Sequence, residues 1–171
     1  MILQNNKTLY IKHDSLSADA LLNICSIKSI AWPYSIDSQI EWIKKEIHSN
    51  DLHVMQYINN KLSAYMNLIA IEIIIDSERQ FAFGIGNVCA SEKGKGYGSV
   101  LMDNVGKYLV KNKKAGLLFC KSSLVKFYNT HGWKLLDKQT VHLEFDNKNI
   151  ETMVYNIPVD YSLIEYMGNA F

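Results

Sequence analysis

Cysteine is scarce in this chain of 171 residues, with only Cys25, Cys89 and Cys120. They are too few for a disulfide framework and too dispersed for a zinc site, so reduced, buried thiols are expected and no metal is implied. An excess of one charge is missing as well. With 18 basic and 17 acidic residues the formal net charge is +1, which gives no global field to draw nucleic acid or a membrane surface. Long apolar runs are absent. The stretch from Ala64 to Ile75 is interrupted by Asn67 and Glu72 and is shorter than the ~20 residues a bilayer requires. Met1-Ile2-Leu3 gives way at once to Gln4-Asn5-Asn6-Lys7, unlike a secretory leader. No repeat, linker or low-complexity segment stands out. A soluble cytoplasmic protein is expected, with no nucleic-acid or membrane partner.

What is present is core-forming material. At 48% hydrophobic, the length suits a single domain over 1–171. Leu9 to Ile11 reads as an opening strand. Ser17 to Ala31 reads as a helix with Ser17 near its cap, stopped by Trp32-Pro33. Asp37 to His48 places Ile40, Ile43 and Ile47 on one helical face. Leu52 to Ile58 and Leu62 to Asp76 flank Asn59-Asn60-Lys61 as a hairpin, and Phe81 to Ala90 is the next strand. After a helix come the buried strand Leu117 to Cys120, a short helix capped by Ser122 or Ser123 and ended by Gly132, and closing strands at Trp133 to Leu136, Val141 to Phe145 and Thr152 to Ile157. Strands first, then alternation of helix and strand, predict an α/β (α+β) fold: a mixed, mostly antiparallel sheet with helices on both faces.

The most informative stretch runs from Val88 through Lys93-Gly94-Lys95-Gly96-Tyr97-Gly98-Ser99 into Leu101. A strand leads into a glycine-rich turn and then an amphipathic helix, with Tyr97, Leu101, Val105 and Tyr108 at helical spacing. Glycines allow backbone amides to converge on an anion, and the helix start adds unpaired N–H groups and its positive dipole end. Lys93 and Lys95 add full charges. A Walker loop is excluded, because no hydroxyl residue follows Gly94-Lys95 and no upstream glycine stands at the required spacing. A dinucleotide fingerprint is excluded because the next strand, Leu117 to Cys120, ends without an acid.

The remaining pattern is Gln or Arg, two residues, Gly, one residue, Gly or Ala, and Lys93 to Gly98 fits it with one substitution. Here the chain resembles the GNAT superfamily of N-acetyltransferases. A second segment, Phe127-Tyr128-Asn129-Thr130-His131-Gly132-Trp133, is similar to that family's Phe-Tyr-x-x-x-Gly-Phe/Trp signature. The resemblance covers about residues 65 to 145 and implies acetyl-CoA as cosubstrate, held by Lys93, Gly94, Lys95, Gly96, Tyr97, Gly98 and Ser99. It also implies that the pantetheine arm lies along Gly86 to Val88, with the Val88 N–H aimed at the thioester oxygen, where charge gathers. Tyr128 would give its proton to the departing thiolate, a task that a phenol of ordinary pKa about 10 suits beside a thiol of about 8.5.

A base is harder to name. Glu72, in the run Ile69 to Ile75, would have a raised pKa if its strand were apolar throughout. Deprotonation through water or Asn87 is the alternative, and His53 and His131 are weaker candidates. Trp32 and Tyr34, between the first two helices, are positioned to wall an acceptor pocket for a small-molecule amine. Lys93 replaces the family's Gln or Arg, Ala90 stands where proline is common, and Lys121 and Leu124 replace the usual Asn and Ala. The run from Cys120 to Tyr128 is closer to the branch with aminoglycoside 2'-acetyltransferases and Nod-factor acyltransferases, which suggests an amino sugar. A non-catalytic acyl-CoA sensor and a protein-directed acetyltransferase are the competing readings. Oligomeric state is not legible in the sequence, although the family often pairs through its last strands and Thr152 to Ile157 could serve a homodimer.

Overall fold

The computed structural model describes residues 5–158 and 160–171; Met1–Gln4, on which the leader argument turns, lie outside them. Nine strands and four α-helices are present among the described residues, in a mixed, mostly antiparallel arrangement as expected. The chain gathers into two compact units, Met1–Ile69 with Gly86–Asn104, and Ala70–Ile85 with Val105–Phe171. Where a single domain is expected, two strands and one long helix run from one unit into the other.

In the first unit, strand β1 (Asn6–Lys12) leads to helices α1 (Ala18–Ala31) and α2 (Ile36–Glu46). Both helices start where a serine hydroxyl takes an orphan amide: Ser17 Oγ accepts from the Ala20 N–H and Ser35 Oγ from the Ser38 N–H, each at 3.2 Å. Strands β2 (Leu52–Ile58) and β3 (Lys61–Ile75) form the expected hairpin, turned by Asn59 and Asn60 at φ 50° and 63°. Such left-handed pairs twist in the sense the strands require. β1 pairs antiparallel with β2, and β2 with β3, in a register that sets His53 opposite Asn67 and Met55 opposite Tyr65. The core joins Ile24, Cys25 and Ile27 of α1, Ile43 of α2, Ile47, Met55, Tyr65 and Cys89. Burying each isoleucine there is worth roughly 1.5–3 kcal/mol.

The second unit contains the hairpin turn Asp76-Ser77 between β3 and β4 (Glu78–Ala90). β4 pairs parallel with β5 (Ala115–Cys120) from Ala82↔Ala115 to Ile85↔Leu118. Helix α3 (Tyr97–Lys111) precedes β5, and α4 (Val125–Thr130) follows it. Neither Ser122 nor Ser123 caps α4. Its N-cap is Leu124, behind a tight turn, and the Ser122 hydroxyl instead donates to Glu151 at 2.9 Å. Beyond α4 lie β6 (Lys134–Leu135), β7 (Val141–Leu143), β8 (Glu151–Tyr155) and β9 (Ile164–Tyr166). β9 is absent from the sequence expectation; it pairs antiparallel with the end of β3 and parallel with β7. Paired on one side by β5 and on the other by β6, β8 has no free edge over Met153 and Val154. An association of two copies by strand pairing at Met153 and Val154 would have to displace β6.

Candidate functional site

The glycine-rich loop lies at the junction of β4 and α3, within the first unit. Gly94 and Gly96 adopt φ 76° and 75°, a conformation that costs other residues roughly 1–2 kcal/mol. A Cβ built at either would meet nothing within 4 Å. Internal packing therefore does not explain the glycines; what they provide is backbone shape around open space. Lys93 and Lys95 are exposed beside it. The Val100 N–H bonds the Gly96 carbonyl at 3.1 Å, so Gly96 starts the helix and leaves the amides of Tyr97, Gly98 and Ser99 in its first turn. This concave row of amides, a helix dipole and two ammonium groups fits a pyrophosphate. Ser91, just before the loop, has a buried hydroxyl that finds no hydrogen-bond partner among the described residues, and it lines a cavity of about 440 Å³ between α1 and the β2–β3 hairpin.

Upstream, β4 departs from regular strand geometry. Its register with β5 ends at Ile85, and Asn87 takes a left-handed φ of 55°. The Asn87 side chain is not free to approach a substrate with both amide hydrogens, because its Nδ2 donates to Asn67 Oδ1 at 3.0 Å. Behind it lies a buried polar row. The Asn67 amide approaches His53 Nδ1 at 3.3 Å, the Tyr65 hydroxyl approaches the same nitrogen at 2.7 Å, and His53 Nε2 lies 2.9 Å from His13 Nδ1. Burial, then His13, then Lys28 push the His53 pKa down to about 4, so the ring is neutral at neutral pH. Its Nδ1 accepts from two donors, which puts the proton on Nε2 and makes His13 Nδ1 an acceptor. Burial also raises the Tyr65 hydroxyl well above its ordinary 10.

Trp32 and Tyr34 occupy the turn between α1 and α2 and are 36% and 67% exposed. The turn is tied by Gln39 Nε2 to the Trp32 carbonyl at 3.0 Å. Neither ring lines the cavity beside Ser91. Sequence reasoning passed over Lys28 of α1. It is only 2% exposed, its ammonium lies 3.9 Å from the Trp42 ring centre, and burial lowers its pKa to about 8. No carboxylate pairs with it among the described residues.

The second unit carries Tyr128 and Glu72. Tyr128 is 7% exposed, on α4, with the Phe127 ring edge-on at 5.1 Å. Among the described residues no hydrogen bond engages its hydroxyl. Burial, with a smaller contribution from Cys120, pushes its pKa up to about 12. The phenol thus holds its proton more firmly than the ordinary value implies.

Glu72 departs from expectation. Ile71, Ile73 and Ile75 point inward, whereas Glu72 points outward, 41% exposed, and accepts from Arg79 Nη1 at 2.8 Å. The burial that the apolar run implies is absent there, and the carboxylate is engaged by Arg79. It lines a separate cavity of about 380 Å³ with Arg79, Glu165 and Tyr166. His131 packs edge-on against Phe127 at 5.0 Å.

Among solved structures the fold has clear counterparts. Escherichia coli ElaA superposes with a TM-score of 0.59 at 16% identity, over 88% of this chain and 99% of that one. An acyl-CoA N-acyltransferase from Pseudomonas aeruginosa gives 0.63 at 15% identity over the same shares. An aminoglycoside 6'-N-acetyltransferase complexed with coenzyme A gives 0.62 at 12% identity, over 89% and 99%. No family model and no curated protein matches the sequence. The chain has the GCN5-related N-acetyltransferase fold. No helix among the described residues is long and apolar enough to cross a membrane.

Proposed function

We propose that this protein is an N-acetyltransferase that moves the acetyl group of acetyl-CoA to a primary amine of a small molecule, with amino sugars the first class to test. The observation that carries this reading is the loop from Lys93 to Gly98: two left-handed glycines bordering open space, two exposed lysines and the first amides of α3. The fold shared with a coenzyme A-complexed acetyltransferase supports it, and that neighbour's aminoglycoside substrate class supports the choice of amines.

In the reaction the amine lone pair attacks the thioester carbonyl and a C–N bond forms. Charge on the carbonyl oxygen is met by the Val88 N–H, as the resemblance assigns it. The C–S bond then breaks, the sulfur keeps the electron pair, and Tyr128 supplies its proton. The acceptor arrives as free amine, its nitrogen gives a proton to water as the C–N bond forms, and a solvent proton returns to Tyr128; Glu72, exposed and shared with Arg79, is given no part in either transfer. Lys93 to Ser99 hold the pyrophosphate, and Trp32 and Tyr34 border the acceptor side.

The test is release of free thiol from acetyl-CoA across a panel of amino sugars, polyamines and amino acid amides, with a basic peptide as comparison. Turnover of at least one small amine is expected. Tight coenzyme binding with no turnover of any amine would instead make the protein a coenzyme sensor.

A further inference from the structure

We propose that Asn67 and His53 are positioning residues of the acetyl-transfer site, holding Asn87 in the left-handed turn of β4 that presents the Val88 N–H. The inference rests on the proposed function for the meaning of Val88, and on the hydrogen-bond row for the rest.

Asn87 is not a glycine, yet its φ is 55°. Asparagine enters this region more readily than most residues, but the conformation still needs support from its surroundings. The orientation of the peptide between residues 87 and 88 follows from the torsions at Asn87, so whatever fixes Asn87 also aims the Val88 N–H. The support is the 3.0 Å bond from Asn87 Nδ2 to Asn67 Oδ1. That bond uses the Asn67 oxygen, which commits the Asn67 amide to face His53 Nδ1. The amide can face that nitrogen only while it carries no proton. His53 meets this condition: its Nε2 donates to His13, whose own backbone N–H is anchored on the Asp51 carbonyl at 2.9 Å.

The row therefore has a single consistent direction, from Asn87 to Asn67, to His53, to His13. It crosses β4, β3 and β2 and ends just past β1. His53 and Asn67 are both 0% exposed, so water cannot replace a lost partner. The inter-strand register, which places them directly opposite each other, makes the row possible. A hydrophobic pair would fill the same space on this sheet face, beside Met55, Tyr65 and Cys89. Two amides and an imidazole do what leucines could not: they reach the backbone turn beside Val88.

The experiment uses the full chain with an amine that the wild type turns over. His53→Leu and Asn67→Leu each remove the grip on Asn87. In both, kcat should fall about tenfold or more while KM for acetyl-CoA stays within about twofold, because the oxyanion forms only in the transition state. The double variant should be no worse than the weaker single one. His53→Asn, whose Oδ1 occupies the place of Nδ1, should recover kcat to within about threefold of wild type. A raised KM with unchanged kcat overturns the proposal, and so does a folded His53→Asn protein that recovers nothing.

A readout independent of turnover separates this inference from the function beneath it. The backbone amide resonances of Asn87 and Val88 should shift in both leucine variants. Unmoved resonances overturn the positioning role, whereas an absence of acetyl transfer in wild type overturns the proposed function. Should His53→Leu fail to fold, Asn67→Ser carries the same expectations.

Discussion

Acidification should destabilise this protein through His53 before general acid unfolding sets in. The imidazole is fully buried, and burial, His13 and Lys28 together take its pKa from 6.5 to about 4. A pKa lower in the folded than in the unfolded state means that the unfolded chain binds the proton first. The contribution is complete above about pH 6.5, is lost as pH falls toward about 4, and changes no further below that, where both states are protonated. A drop of this size corresponds to roughly 3 kcal/mol, a large part of the total stability of a typical domain. Urea unfolding followed by tryptophan fluorescence, at steps between about pH 7 and about pH 4, measures the decline. Other groups titrate in the same window, so the quantity that decides is the difference between wild type and His53→Asn. That variant keeps a hydrogen-bond acceptor but cannot take the proton, and it should lose about 3 kcal/mol less than wild type. Parallel declines in the two proteins would refute the reasoning.

Three further outcomes follow from other sites. Tyr128→Phe removes the proton for the departing thiolate and should lower kcat about a hundredfold with little change in KM for acetyl-CoA, measured by thiol release. Gly96→Ala meets no steric clash but must hold φ at 75°; it should cost roughly 1–2 kcal/mol in urea unfolding and weaken coenzyme A binding in calorimetry. Lys28 has a pKa lowered by burial from 10.5 to about 8, so it contributes a rise in stability as pH climbs between those values, while buried thiols and phenols such as Cys89 and Tyr128 contribute a fall; the stability of Lys28→Met should therefore drop more steeply with pH over that window than that of wild type.

Legibility in the sequence depended on the range of the interactions involved. The helix start at Ser17 and the hairpin at Asn59-Asn60 are decided within a few residues, so they could be read directly; α2, expected over Asp37 to His48, runs instead over Ile36–Glu46, and its cap at Ser35 was not read. The glycine-rich loop was legible for a related reason, because Gly94 and Gly96 mark left-handed backbone within a few residues of the helix they precede. Glu72 was misread through its neighbours. A run dominated by isoleucine suggests burial on both faces, yet β3 buries only Ile71, Ile73 and Ile75 there, and the period of two carries Glu72 outward. His53, Asn67 and Asn87 stand on three different strands, and only the register makes them neighbours; their one local sign was polarity within apolar strands. β9 is three residues long, with a central glutamate, and its existence depends on an edge of β3 that no local rule reveals.

That late pairing bears on how the chain is made. β2 covers β3 only as far as Leu68, and the partner of Ile74 and Ile75 is synthesised about ninety residues later, at Ile164 and Glu165. At typical translation rates the isoleucine-rich end of β3 waits on the order of 5 to 20 s for that strand. A β-branched edge held open for that interval invites pairing with another nascent chain. Glu72, turned outward and facing Arg79, interrupts the stretch with a charge, the kind of break that discourages such pairing.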